Sequence, residues 1–154
     1  MIKAQDIMTR EVITVSPETR ITQAAKILID NHLNGLPVVD KTGSLKGIIC
    51  QNDLIFQQKK IPLPSFFTVL DGFLPLSTEK AVDREVEKIA AVTVGEAMSH
   101  DPVTITPETS LEDIATLMVK NSIHTLPVLD KGKLVGIIGK EDVLRTLMPS
   151  DEGL

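Results

Sequence analysis

Few residues in this chain have types and spacing that could do chemistry. Two aspartates close near-identical runs, Gly47-Ile48-Ile49-Cys50-Gln51-Asn52-Asp53 and Gly136-Ile137-Ile138-Gly139-Lys140-Glu141-Asp142. Each stands near the expected start of a helix, where a carboxylate makes a good cap. An arginine such as Arg10 could hold a phosphate, because a planar guanidinium suits bidentate contact. The three histidines, His32, His100 and His124, lack metal-ligand spacing. Cys50 ends an apolar run with no histidine beside it, which predicts a buried, inert thiol. Ser77-Thr78-Glu79-Lys80 matches the Ser-x-x-Lys of acyl-transfer enzymes, but its companion motifs are absent and it reads as a helix start. No glycine-rich phosphate loop is present. The pattern gives no positive evidence for catalysis, and no metal is expected.

Composition narrows the setting. The 154 residues are 42% hydrophobic and 24% charged, with 16 Lys+Arg against 21 Asp+Glu and one Cys. A chain of this length buries roughly 70% of its unfolded surface, so a real core is expected and disorder is not. The acidic balance argues against nucleic acid, which needs clustered Lys and Arg. No apolar run approaches the roughly 18 residues that span a bilayer. The first residues lack a signal peptide's apolar stretch. The expectation is a soluble, cytoplasmic protein. Trp and Tyr are absent, and all four Phe (Phe56, Phe66, Phe67, Phe73) fall between residues 56 and 91.

The elements that must position these residues come in two copies. Met8-Thr9-Arg10-Glu11-Val12-Ile13-Thr14-Val15-Ser16-Pro17-Glu18-Thr19 recurs 90 residues later as Met98-Ser99-His100-Asp101-Pro102-Val103-Thr104-Ile105-Thr106-Pro107-Glu108-Thr109. With a single one-residue gap, 18 of 49 paired positions from Asp6 to Ile55 are identical. Such self-similarity marks a duplicated structural unit. Short β-branched runs, Val12 to Val15 and Val103 to Ile105, predict a first strand in each unit. A helix follows, with Ile21, Ala24, Ala25 and Leu28, or Leu111, Ile114, Ala115 and Met118, on one face. Thr109 and Glu112 have capping-box spacing, and Thr19 is the weaker equivalent cap. The helices should stop near Asn31 and Asn121. Strands are expected over Leu36–Val39 with Leu45–Ile49, and over Leu126–Leu129 with Leu134–Ile138. A second helix should begin near Asp53 and near Asp142. The order is β-α-β-β-α, twice: an α/β (α+β) fold. About 50 residues bury too little apolar surface to stand alone, so the units should pack as a pseudo-two-fold pair with two equivalent clefts.

This tandem is similar to the CBS-domain pair, or Bateman module. The resemblance rests on Met-Thr/Ser early, Leu-Pro-Val-Val/Leu-Asp in the middle and Gly-Ile-Ile-x-x-x-Asp at the end, and it covers about two thirds of the chain. It implies a non-catalytic regulatory module that binds AMP, ADP, ATP or S-adenosylmethionine between the units. No cofactor is required, and the expected partners are that nucleotide, a second copy of the chain as a homodimer, and an unidentified protein. The alternative is a structural scaffold with empty clefts, dimerising through the module or the Phe-bearing insertion. In the resembling family the motif Asp accepts from ribose hydroxyls, here Asp53 and Asp142. A Thr or Ser contacts phosphate, but Cys50 and Gly139 stand there in this chain. The residues before and at the Leu-Pro step also contribute: Asn34, Gly35 and Pro37, with His124, Thr125 and Pro127. So does the segment after Met, with Arg10 in one copy and Ser99 and His100 in the other. His100, His124 and Lys140 are expected to make the second unit's cleft, with Asp142, the cationic and preferred one. Histidine changes charge between about pH 5 and 8, so binding there should weaken as pH rises through that window.

The expected organisation is residues 1–58 and 93–149 for the units, 59–92 for an insertion and 150–154 for a tail. The insertion should carry an amphipathic helix from Thr78 to Ala91, with Val82, Val86, Ile89 and Ala90 on one face. Its Phe- and Pro-rich first half should cover the module or meet another chain.

Overall fold

The helical spacing read from the sequence is realised. In the computed structural model, which describes residues 1–60 and 92–148, helix α1 is Ala4–Ile7, α2 is Ile21–Asp30 and α3 is Gln51–Lys60. In the second unit α4 is Val94–Ala97, α5 is Leu111–Asn121 and α6 is Lys140–Arg145. Ile21, Ala24 and Leu28 are the buried face of α2, and Ile114 and Met118 that of α5. The side-chain amides of Asn31 and Asn121 donate to Ile27 O and Leu117 O, closing the last turn of each helix. The proposed insertion helix, Ser77 to Lys80, Phe66, Phe67, Phe73 and the tail all lie outside the described residues. Phe56 sits on α3 of the first unit. No helix among the described residues is long and apolar enough to cross a membrane.

Strands β1 (Gly35–Val39) and β2 (Leu45–Cys50) form one antiparallel pair, and β3 (Thr125–Asp130) and β4 (Lys133–Gly139) the other. Repeat-equivalent registers hold, with Pro37 opposite Ile48 and Pro127 opposite Ile137. The tandem is an α+β arrangement of two small sheets and their helices.

Two expectations are corrected. The first strands shrink to one bridging residue each, Val15 beside Val38 and Ile105 beside Val128. Prolines are the reason. Val15 donates to Pro37 O at 3.1 Å and accepts from Val39 at 2.9 Å. Extending that parallel ladder backward needs an N–H from Pro37, and forward one from Pro17; neither residue has it. Pro127 and Pro107 stop the second copy the same way. The helix caps also move by one residue. Thr19 and Thr109 accept from the backbone amides of Ser16 and Thr106, forming turns ahead of the helices. Ser110 caps α5 instead, accepting from Asp113 at 3.1 Å, and α2 has no side-chain cap.

What joins the units was not legible in the sequence. The start of each unit is seated in the other. Ala4 and Gln5 donate to Thr109 O and Pro107 O at 2.8 and 3.0 Å. Ala4 is fully buried in the second unit's core with Ile105, Ile114, Met118, Leu126, Val128 and Ile138. In return Val94 enters the first unit's core with Val15, Ala24, Leu28, Leu36, Val38 and Ile49. Thr9 pairs with Ile137 and Ser99 with Ile48 across the two units.

Candidate functional site

The duplicated Gly-Ile-Ile-x-x-x-Asp run is a strand that turns directly into a helix. Cys50 ends β2 and Gln51 begins α3; Gly139 ends β4 and Lys140 begins α6. The aspartate therefore falls on the third helical residue and reaches back. Asp53 Oδ2 accepts from the Cys50 amide at 2.8 Å, and Asp142 Oδ2 accepts from the Gly139 amide at 2.8 Å. Both aspartates are helix caps as well as candidates for ligand contact. The residue before each helix has no side-chain oxygen to complete the reciprocal cap, because Cys50 and Gly139 stand there. The first amide of each helix is held by the carbonyl just before the preceding strand pair: Gln51 donates to Asn34 O and Lys140 to His124 O.

Because the unit starts are exchanged, the two clefts are built crosswise. One cavity of about 460 Å³ places Asp142, Gly139, Glu141 and Arg145 of the second unit against Thr9, Glu11, Ile13 and the Asn31–Gly35 stretch of the first. The other, about 440 Å³, places Cys50, Gln51, Asn52 and Asp53 of the first unit against Ser99, Asp101, Val103 and the Ser122–Thr125 stretch of the second, with Lys140 at its wall. Asn34 and Thr125 line both. Gly35 sits between the units: a Cβ there would lie 3.0 Å from Cys50 Sγ and 3.2 Å from Thr125 Oγ1.

The grouping expected from the sequence changes accordingly. His124 and Lys140 line the Asp53 cavity, not the Asp142 cavity, which has His32 and Arg145 instead; with one carboxylate fewer, the Asp53 cleft is the less acidic of the two. His100 and Arg10 line neither; Arg10 is exposed and donates to Gln5 O at 3.4 Å. Pro37 and Pro127 are fully buried within their sheets. Glu11, His32, Glu141 and Arg145, with Asp101, Gln51 and Asn52, are lining residues that sequence reasoning passed over. Glu11 and Asp101 had a signal, being acidic at equivalent positions of the repeat. His32 and Ser122, also repeat-equivalents, hold left-handed backbone at φ 54° and 52° where the chain enters each cleft. Among the described residues no Phe lines either cavity; Ile13, Leu33 and Ile137 or Ile48, Val103 and Ile123 supply apolar walls. No cluster of three metal-ligating side chains occurs among the described residues.

The electrostatics do not favour a thiolate at Cys50. Burial, and then the Asp53 charge, push the Cys50 thiol up to about 11, so it stays protonated at neutral pH. Burial raises Asp53 above the usual carboxylate range, against the lowering effect of the Cys50 amide. A carboxyl whose folded pKa is raised is favoured by the fold when protonated, and this contribution is lost as pH rises through the folded value. Asp53→Asn keeps an acceptor for the Cys50 amide and removes the penalised charge. Its thermal midpoint at pH 7 is expected to equal or exceed that of the unaltered chain by no more than about 3 °C. The gap should close at pH 4, and a midpoint clearly below the unaltered chain at pH 7 would contradict the burial argument.

Two duplicated strand-to-helix turns, each closing a cleft on the opposite unit, define a tandem of paired CBS domains. The chain belongs to the CBS domain family, whose profile matches residues 4–60 and 94–149. It is 31% identical over 139 residues, 87% of its length, to the chloroplastic CBS domain-containing protein CBSX1 of Arabidopsis thaliana, and spans 58% of that protein. Among solved structures, CBSX2 in complex with AMP is similar at 26% identity and TM-score 0.71, with 96% of each chain covered. The CBS domain pair of protein MJ0100, in complex with 5-methylthioadenosine and S-adenosylmethionine, is similar at 28% identity and TM-score 0.68, with 96% of each chain covered.

Proposed function

We propose that this chain is a non-catalytic regulatory module, cytoplasmic and homodimeric, that binds an adenosine-containing ligand in its inter-unit clefts and reports it to a partner protein. The observation that carries the reading is the pair of cavities walled by both units, each holding one motif aspartate. A ligand there touches both units at once. It shifts their packing, or the dimer, only as far as it binds one arrangement better than the other. The solved complexes of similar proteins with AMP, S-adenosylmethionine and 5-methylthioadenosine support the ligand class.

The test is a thermal-shift panel of AMP, ADP, ATP, S-adenosylmethionine and NAD. A ligand at 100 times its Kd stabilises by about 2.7 kcal/mol, or roughly 5–10 °C for a chain of this size. Asp53→Ala is expected to reduce the response to AMP, ADP and ATP more than Asp142→Ala, because Lys140 and His124 stand in the Asp53 cleft. If no adenosine compound moves the midpoint at millimolar concentration, the sensing reading is wrong. The second reading, a scaffold with empty clefts, then stands. It is favoured by Cys50 and Gly139 at the hydroxyl positions and by the capping duty of both aspartates.

A further inference from the structure

The two clefts are equivalent by descent but not by charge. Glu11 and Asp101 are repeat-equivalents, as are Asp142 and Asp53, so each cavity receives one carboxylate from each pair. The Asp142 cavity adds a third, Glu141, where the Asp53 cavity has the neutral Asn52. Its guanidinium is already engaged. Arg145 Nη1 donates to Asp142 Oδ1 at 3.0 Å, and Nη2 lies 3.6 Å from Glu141. With Oδ2 holding the Gly139 amide, both oxygens of Asp142 have a partner inside the protein. The repeat-equivalent of Arg145 is Phe56, which has no such group to offer Asp53. Lys140 meanwhile crosses to the Asp53 cavity, and no ion pair engages it among the described residues.

We propose that the clefts sort ligands by charge: the Asp53 cleft takes a phosphate-bearing nucleoside, and the Asp142 cleft takes an adenosine-type nucleoside without phosphate. This rests on the reading that the clefts hold adenosine-containing ligands. A phosphate entering the Asp142 cleft meets one carboxylate more and no unpaired ammonium. One extra unit charge about 6 Å from a dianion, in a solvent-exposed cleft, weakens binding about tenfold. An uncharged nucleoside meets no such penalty. It has only to donate to Asp142 Oδ1 alongside Arg145, since a carboxylate oxygen accepts two hydrogen bonds.

Calorimetric titration of the full chain with AMP and with adenosine tests this. Asp142→Asn and Asp53→Asn each keep an acceptor for the cap amide while replacing one carboxylate oxygen by a donor, so each leaves a single competent cleft. Asp142→Asn is expected to bind AMP about tenfold more tightly than adenosine. Asp53→Asn should bind adenosine at least as tightly as AMP. Lys140→Gln, an exposed position, added to Asp142→Asn should weaken AMP about tenfold and leave adenosine unchanged. The same order of preference in both cleft variants, or equal loss of both ligands in Lys140→Gln, overturns the sorting while leaving the nucleotide reading intact. Failure of both compounds to bind the unaltered chain overturns the nucleotide reading and the sorting with it.

Discussion

Leu126→Ala is expected to lower the stability of this protein by about 2–5 kcal/mol and its thermal midpoint by roughly 5–20 °C. Leu126 has no exposed surface and packs among Ile105, Ile114, Met118, Val128 and Ile138. Truncation removes the transfer energy of three carbons and leaves a cavity that the surrounding β3, β4 and α5 cannot collapse into without losing register. Total stabilities are of order 5–15 kcal/mol, so the loss is a large fraction of the whole. The loss should also be shared by both units. Ala4 of the first unit lies in this same core, with Ile7 and Met8 packed against it. Calorimetry is therefore expected to record one unfolding transition at a lower temperature, and not an early transition of the second unit alone. Val119→Ala is the control: Val119 is 82% exposed on α5 and its truncation should stay within about 0.5 kcal/mol. A Leu126 variant as stable as the Val119 variant would refute the assignment of the core. Two separated transitions would refute the exchange of unit starts.

The second large effect is expected at Gly47. This residue is buried in β2, opposite Val38, and the second unit's Met98-Ser99 segment crosses directly over it. A Cβ built there falls inside van der Waals contact of the Ser99 carbonyl and 2.8 Å from Met98 Sδ. The carbonyl cannot rotate away, because Ile48 donates to it at 3.1 Å and accepts from Ser99 N at 2.9 Å. Gly47→Ala must push the crossing segment off the sheet, at a cost of about 1–3 kcal/mol, and Gly47→Val at more. The repeat-equivalent Gly136 differs in kind. Its added Cβ meets Met8 Sδ at 2.5 Å and Met8 Cγ at 2.9 Å, the flexible part of one side chain. Methionine has three rotatable bonds with which to retreat. Denaturant titration should therefore rank Gly47→Ala as the less stable of the two alanine variants. The functional consequence follows from position: Ile48 and Ser99 both line the Asp53 cavity, so Gly47→Ala should also weaken ligands there. Equal stability of the two variants would mean that the Ser99 crossing is looser than its paired hydrogen bonds imply.

The Gly47 effect arises at a contact between the units, and such contacts were the part hidden from sequence reasoning. The duplication, the helix faces, the strand pairs and the turns were legible because they depend on neighbours a few residues apart. Period-3.6 burial of Ala24 and Leu28, or of Ile114 and Met118, needs only an apolar partner somewhere. Asp53 and Asp142 were legible for the same reason: a carboxylate three residues past a strand end caps the next helix wherever it sits. The first strands were over-read because β-branched residues signal a strand locally, while only one of the two missing N–H groups that cut each short is local: Pro17 and Pro107 follow at two residues, but Pro37 and Pro127 lie about twenty residues away in sequence.

The sequence by itself determined that this protein is two copies of one unit and that each copy carries an aspartate at a strand-to-helix turn. Only the tertiary structure decided which copy's residues share a cleft. The opening segment of each unit buries its apolar side in the other, Ala4 in one core and Val94 in the other. That exchange lays Thr9 along Ile137 and Ser99 along Ile48, and so sets each aspartate opposite the other unit's polar residues. Hydrophobic burial carries no label for the copy it comes from, because either core would accept either segment. The pairing of Lys140 and His124 with Asp53 was therefore decided by packing across the whole molecule and left no trace in local spacing.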